Sequence, residues 1–332
     1  MDFGQFLVQL LTDAGGSLVS AVTAAFVLAA IGLNLHFGYT GLINIGQAGF
    51  MLLGAYGFAI TVEYSGDFWL GLLVAIVVAI IAALILGLPT LRLRGDYFSI
   101  VTIAFAEIIR MIGDSPALQS LTGGPVGIQG FKFQGPFVAL SPLPHEGTLS
   151  LGPLTAPYTG GDSWWLRIVS WGAVVIIALI ALLLVKSPWG RVLRGIREDE
   201  DAVRSLGKNV NLVKMQSLII GAVFGALGGV FYVLSGSVQA DGLGRSQTFL
   251  IYTCLLLGGA ATVFGPILGS LLYFVFTTIL TDVVTTYVPH TVMNVTQIPQ
   301  FVWILVGVGL MLLVIFRPQG ILGNKRELNF IG

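Results

Sequence analysis

An all-α, polytopic membrane helical bundle of about nine transmembrane helices is the fold class predicted for this chain. Three observations predict it. Hydrophobic residues make up 55% of the 332 and charged residues only 10%, and the mean hydropathy is +0.92, well outside the balance of water-soluble domains. Apolar runs long enough to cross a hydrocarbon core of about 30 Å recur along the chain, as in FWLGLLVAIVVAIIAALILGL at 68–88. These runs lack the short apolar-polar alternation of transmembrane strands, so helices are expected and not a barrel.

Taken in order, apolar runs bounded by polar, Gly or Pro clusters place spans at 17–36, 41–62, 68–88, 96–112, 165–186, 214–236, 246–263, 265–287 and 298–316. The stretch MDFGQFLVQLLTDAGG ahead of the first lacks the basic residues of a signal-peptide n-region, so that first apolar stretch is expected to be retained. With the charged stretch 187–213 set on the cytoplasmic side, Lys and Arg collect there. Arg92, Arg94, seven residues from Lys186 to Lys214, Arg317, Lys325 and Arg326 fall inside, against Lys132 and Arg245 outside. Arg110 and Arg167 fall at external helix ends, where they can snorkel to the interface. The expected topology has the amino terminus outside and the carboxyl terminus in the cytoplasm, with one transmembrane domain over 1–332.

Within the second span, GLINIGQAGFMLLGAYG sets Asn44 and Gln47 on a face with Met51 and Gly54. That face points inward, either for interhelical hydrogen bonding or as a polar strip along a solute path. In the fourth span Glu107 and Arg110 are one turn apart and can pair, as a structural ion pair or at an external mouth that admits a zwitterionic solute. The Gly- and Pro-rich segment 113–163 is expected as an external loop, with Ile128, Phe131, Phe133, Phe137, Trp164 and Trp165 as apolar anchors. Small residues at four-residue spacing in GAVFGALGG (221–229) read as a packing seam, and Gly265-Pro266 as a tight turn between neighbouring helices.

The stretch RVLRGIREDEDAVRSLGK (191–208) carries nine of the chain's 32 charged residues. As one helix over 191–206 it sets Val192, Ile196, Val203 and Leu206 on one arc and Arg194, Arg197 and Arg204 opposite. Arginines alone would suit anionic lipid. The run Glu198, Asp199, Glu200, Asp201 would be repelled by it, so a protein socket is expected.

Several function classes are excluded. Net charge is zero, which leaves no basic field for nucleic acid. His36, His145 and His290 are scattered, Cys254 stands alone, and HExxH and GxSxG are absent. Gly207-Lys208 is followed by Asn209 and not by Ser or Thr, so no phosphate loop is present and no enzyme activity is expected. There is no series of intramembrane acids for an ion relay and no filter-like TVGYG stretch, which disfavours a stand-alone secondary transporter or a selective channel.

Residues 201–207, DAVRSLG, resemble a loose form of the EAA-x3-G signature of ABC importer permeases, with Asp201 and Val203 in place of Glu and the second Ala. GYTGLINIGQAGFMLLGAY, LRLRGDYFSIVTIAFAEIIR, LTGGPVGI, SPWGRVLRGIREDEDAVRSLGKNV, GGAATVFGPILGS and FRPQGILG follow in an order similar to the LivM-type permeases of branched-chain amino acid importers. That resemblance implies a LivH-type second permease, two cytoplasmic ATPases holding ATP and Mg, and an external substrate-binding protein, in a prokaryotic cytoplasmic membrane. It implies no cofactor in this chain. The coupling residues would be Arg197, Glu198, Asp199, Glu200, Asp201, Ala202 and Gly207, and the path residues Asn44, Gln47, Glu107 and Arg110. The alternatives are a urea or short-amide permease of the same family, or a stand-alone secondary transporter.

Overall fold

The computed structural model describes residues 3–91, 96–151, 154–288, 294, 296–317 and 319–323; Arg92, Arg94, His290, Lys325 and Arg326 lie outside the described residues. It opens with α1 (Phe3–Val19), α2 (Ala21–Leu33) continued by a π-helical turn (Asn34–Tyr39), α3 (Gln47–Ser65), α4 (Phe68–Thr90) and α5 (Asp96–Asp114). The segment after α5 holds the short helices α6 (Gln119–Thr122) and α7 (Gly135–Ala139) and a hairpin of β1 (Thr148–Leu151) and β2 (Leu154–Pro157), antiparallel with Leu149 opposite Ala156. The remainder is α8 (Trp164–Lys186), α9 (Pro188–Glu198), α10 (Glu200–Ser205), α11 (Val210–Leu234), α12 (Arg245–Gly258), α13 (Gly265–Tyr287) and α14 (Ile298–Phe316).

Each of the nine expected spans contains a helix, and among the described residues five are long and apolar enough to cross a membrane: Ala21–Tyr39, α4, α8, α11 and α13. The chain is therefore an all-α polytopic membrane bundle. α12 is short, with 14 residues or about 21 Å at the helical rise. Three boundaries differ from expectation for local reasons. The chain is already helical from Phe3, a segment whose Gln5, Gln9, Thr12 and Asp13 hold its hydropathy below that of a span. Residues 41–46 are not helical, so α3 starts at Gln47. The turn between α12 and α13 is 259–264, with Gly265-Pro266 opening α13.

Packing runs inside out relative to a soluble protein. α4 buries Gly71, Ala75, Ala79, Ala82 and Ala83 and exposes Leu73, Val77, Ile81, Ile85 and Leu88. Lipid competes for large apolar side chains as well as protein does, so helices associate through small residues that let backbones approach. The 221–229 seam follows the same rule at the centre, where α11 packs between α2, α3 and α4. A Cβ on Gly228 would lie 2.6 Å from the Ala25 carbonyl, and one on Gly229 1.9 Å from that of Met51.

The segment between α5 and α8 is folded down onto the bundle. Ile128 and Val238 exchange backbone hydrogen bonds of 2.9 Å in each direction, and Ile128, Phe133, Phe137 and Trp164 are buried. Trp165 stacks on Phe137 and donates to its carbonyl (3.2 Å). Phe131 does not join this packing and is 80% exposed on a 3-10 turn.

Candidate functional site

The charged stretch forms a hook and not one helix. Ser187 ends α8 in extended geometry and Pro188 opens α9. Asp199 is extended at φ −152°, ψ 102°, and its carboxylate accepts from the Ala202 amide at 3.0 Å, so it ends α9 and caps α10. A short carboxylate that competes for backbone amides favours such a position over a helix interior. Gly207, at φ +76°, turns the chain out of α10, and Asn209 caps α11.

The break redistributes the side chains expected on a continuous helix. Ile196, Val203 and Val210 form a small core under the hook, but Leu206, past the break, is 80% exposed. Two of the three arginines expected to face water turn into the bundle. The Arg194 guanidinium lies 5.8 Å from the Tyr39 ring centroid, and Arg197 Nη1 donates to the Gly38 carbonyl at 2.6 Å. The acidic run also divides. Glu200 takes Lys214 Nζ at 2.5 Å and Arg204 at 2.8 Å, whereas Glu198, Asp201, Ala202 and Gly207 stay exposed.

Arg197 reaches the most irregular part of the interior. From Asn34 the chain passes through the π turn into 40–46, and buried backbone without regular structure must find its partners among side chains. Ser99 donates to the Ile43 carbonyl (3.0 Å) and Tyr252 to that of Asn44 (3.0 Å). Thr102 and Thr248 hydroxyls accept from the Ile45 and Ala48 amides at 3.0 Å each. Asn34 holds the 259–264 turn, accepting from Ala261 at 2.9 Å and donating to the Thr262 carbonyl at 2.8 Å. Ala261 is the one described non-glycine residue with positive φ, at 61°. A cavity of about 370 Å³ lies between this segment and the hook, lined by Thr40, Gly41, Ile196, Arg197, Glu200 and Lys214 among others.

Asn44 and Gln47 are both fully buried. Asn44 lies before α3 and does not share a helical face with Gln47. Instead the two form a continuous polar chain with His36. His36 Nε2 donates to the Leu218 carbonyl (3.1 Å), and Asn44 Nδ2 donates to His36 Nδ1 (3.1 Å) and to Gln47 Oε1 (3.1 Å). Gln47 Nε2 then donates to the carbonyls of Ala29 (3.3 Å) and Gly221 (3.1 Å). The network itself sets the tautomer of His36 and the orientation of both amides. It ties α2, α3 and α11 together at Gly32, Gly221 and Gly225, where an added Cβ would meet a Gln47 or His36 side chain or a facing carbonyl within 2.6 Å.

Glu107 and Arg110 are not part of this cluster. They sit toward the other end of α5, where Arg110 meets Glu107 Oε1 through Nη2 (2.6 Å) and Nε (3.0 Å) and also pairs with Asp241, while Arg245 Nε lies 3.3 Å from Glu107 Oε2. Sequence reasoning missed Asn34, His36, Asp241 and Arg245. The legible signal for the first two was polar residues clustered from 34 to 47 among glycines; the last two become partners only through the fold.

Comparison with known proteins agrees with this architecture. Residues 17–315 match the family model described as branched-chain amino acid transport system / permease component. The high-affinity branched-chain amino acid permease protein LivM of Escherichia coli (strain K12) is 31% identical, over 93% of this chain and 70% of its own length. A probable LivM permease of Methanocaldococcus jannaschii is 26% identical over 90% of this chain and 91% of its own. The nucleoside ABC transporter permease protein NupC of Lactococcus lactis is 23% identical over 72% and 73%. A helical membrane bundle with a charged hook, matched to one family model over nearly its whole length, belongs to the branched-chain amino acid transport system permease component family, with LivM-type permeases among its relatives.

Proposed function

We propose that this chain is the membrane-spanning subunit of an ATP-driven importer of branched-chain amino acids, assembled with a LivH-type permease, two cytoplasmic ATPases and an external binding protein. The hook faces the cytoplasm, the amino terminus lies outside and the carboxyl terminus inside, as the distribution of Lys and Arg favours. ATP and Mg are held by the ATPases, because this sequence has no phosphate loop. The observation that carries the reading is the 2.6 Å hydrogen bond from Arg197 to the Gly38 carbonyl. Through it a displacement of the exposed hook pulls on the broken helix, and from there on the His36–Asn44–Gln47 chain, so alternating access can follow ATPase motion.

Within the hook, Glu198, Asp201, Ala202 and Gly207 form the face offered to an ATPase, Asp199 and Glu200 hold the hook's shape, and Arg197 transmits its motion. Asn44 and Gln47 border the path when the bundle opens, and Glu107 and Arg110 stand at its outer mouth. The double reversal Glu198→Lys/Asp201→Lys keeps the Asp199 cap and the Glu200–Lys214 pair, and within the hook removes the exposed Asp201–Arg204 pair. It is expected to strip the ATPases from the affinity-purified complex, lowering uptake about tenfold or more with membrane insertion unchanged, as when charged partners at an interface are set against each other. Wild-type uptake by the reversed variant removes the coupling assignment. Competition of uptake by leucine, and not by urea or nucleosides, identifies the substrate class.

A further inference from the structure

We infer that Asp241 and Arg245 complete an outer gate with Glu107 and Arg110, and that this gate binds the charged ends of a free amino acid, the α-ammonium at Glu107 and the α-carboxylate at Arg245. The inference rests on the amino-acid reading above.

The four side chains alternate in sign across two parts of the fold. Asp241 opens a 3-10 turn (Asp241–Leu243), Arg245 is the first residue of α12, and both face α5. Arg110 is held from two sides, with Nε and Nη2 on Glu107 Oε1 and Nη1 on Asp241. Glu107 is not. Its Oε2 is shut off from water and accepts no hydrogen bond, and the cation facing it, Arg245 Nε, stands at 3.3 Å without hydrogen-bond alignment. Nor does the Arg245 guanidinium, with its side chain 64% exposed, donate a hydrogen bond to any described residue. The junction between α5 and α12 thus leaves an acceptor and a set of donors both under-used, side by side.

An α-amino acid carries the complementary pair one carbon apart. Its ammonium satisfies Glu107 Oε2 and its carboxylate takes the Arg245 guanidinium, so the zwitterion enters by exchanging partners with a loosely made ion pair. No charge is left bare during the exchange, and a misaligned pair whose arginine is 64% exposed contributes little to stability. Inserting the zwitterion separates Arg245 from Glu107 and moves the start of α12 away from α5, which is an opening motion. Arg110 stays clamped to Glu107 and fixes the carboxylate. Uncharged amides offer neither end and do not exchange.

The test uses the whole transporter in lipid vesicles with leucine-loaded binding protein outside, ATP hydrolysis confirming assembly of every variant. Arg245→Gln is expected to lower maximal leucine uptake about tenfold, with the half-saturating concentration of binding protein unchanged, and Arg245→Lys to restore it to within about twofold, as the loss and return of one charge-assisted hydrogen bond dictates. Glu107→Gln, which keeps an oxygen for Arg110, is expected to fall with Arg245→Gln. Uptake by Arg245→Gln within about twofold of wild type, or Arg245→Lys as slow as Arg245→Gln, overturns the gate. A wild-type complex that hydrolyses ATP yet carries no leucine overturns the amino-acid reading, and the gate with it.

Discussion

Gly229→Ala is expected to weaken the folded bundle strongly. The added Cβ would lie 1.9 Å from the Met51 carbonyl oxygen and 2.6 Å from its carbon, both backbone atoms of α3. Neither can rotate aside as a flexible side chain could, so α11 and α3 must separate. That separation also strains the neighbouring contact at Gly54, whose Cβ position is 2.3 Å from the Ala226 carbonyl oxygen. Overpacking of this kind costs about 3 kcal/mol, at the upper end of its usual range. Gly172→Ala is the matched control, because nothing lies within 4 Å of its Cβ position on α8. It should be neutral or slightly stabilising, as alanine is the better helix former. Gel filtration in detergent after graded heating checks both: loss of the folded peak at lower temperature for Gly229→Ala alone supports the seam, and equal profiles dismiss it.

Gln47→Leu has the second large expected effect. Leucine removes two hydrogen bonds to carbonyls and leaves one Asn44 N–H without its acceptor, all within a site closed to water. Two net hydrogen bonds at about 1 kcal/mol each and one unpaired donor at about 1–3 kcal/mol give a loss on the order of 3 kcal/mol. Apparent melting temperature and leucine uptake, measured on the same preparation, separate two roles for this residue. A drop in both is expected if the chain His36–Asn44–Gln47 holds the seam and transmits motion along it. Unchanged melting with lost uptake would make Gln47 a path residue only, and unchanged values of both would remove it from the mechanism.

The same residues show what could be read from the chain before folding. The nine windows each hold a helix because hydropathy over about 20 residues is a local sum, and a membrane helix satisfies its own backbone. The 221–229 seam was legible for a similar reason: small residues at four-residue spacing fall on one helical face whatever they pack against. The hook was legible as a charged cytoplasmic element but not as a broken one. Helical periodicity treats Asp199 as one more exposed acid, whereas its carboxylate finds the Ala202 amide only once the chain has turned. Leu206 then leaves the stripe to which the periodicity assigns it.

By itself the sequence determined a helical membrane bundle, the order of its spans, the central small-residue seam and a polar island between two long helices. Each of these depends on composition or spacing within one segment. Only the tertiary structure decided that Arg197 turns inward to Gly38, that Asn44 and Gln47 close a polar chain with His36, and that Asp241 and Arg245 face Glu107 and Arg110. Those partners stand up to 159 residues apart along the chain. A charge or an amide takes its meaning from what lies within about 3 Å of it, and at such separations only the packing of the helices sets that distance.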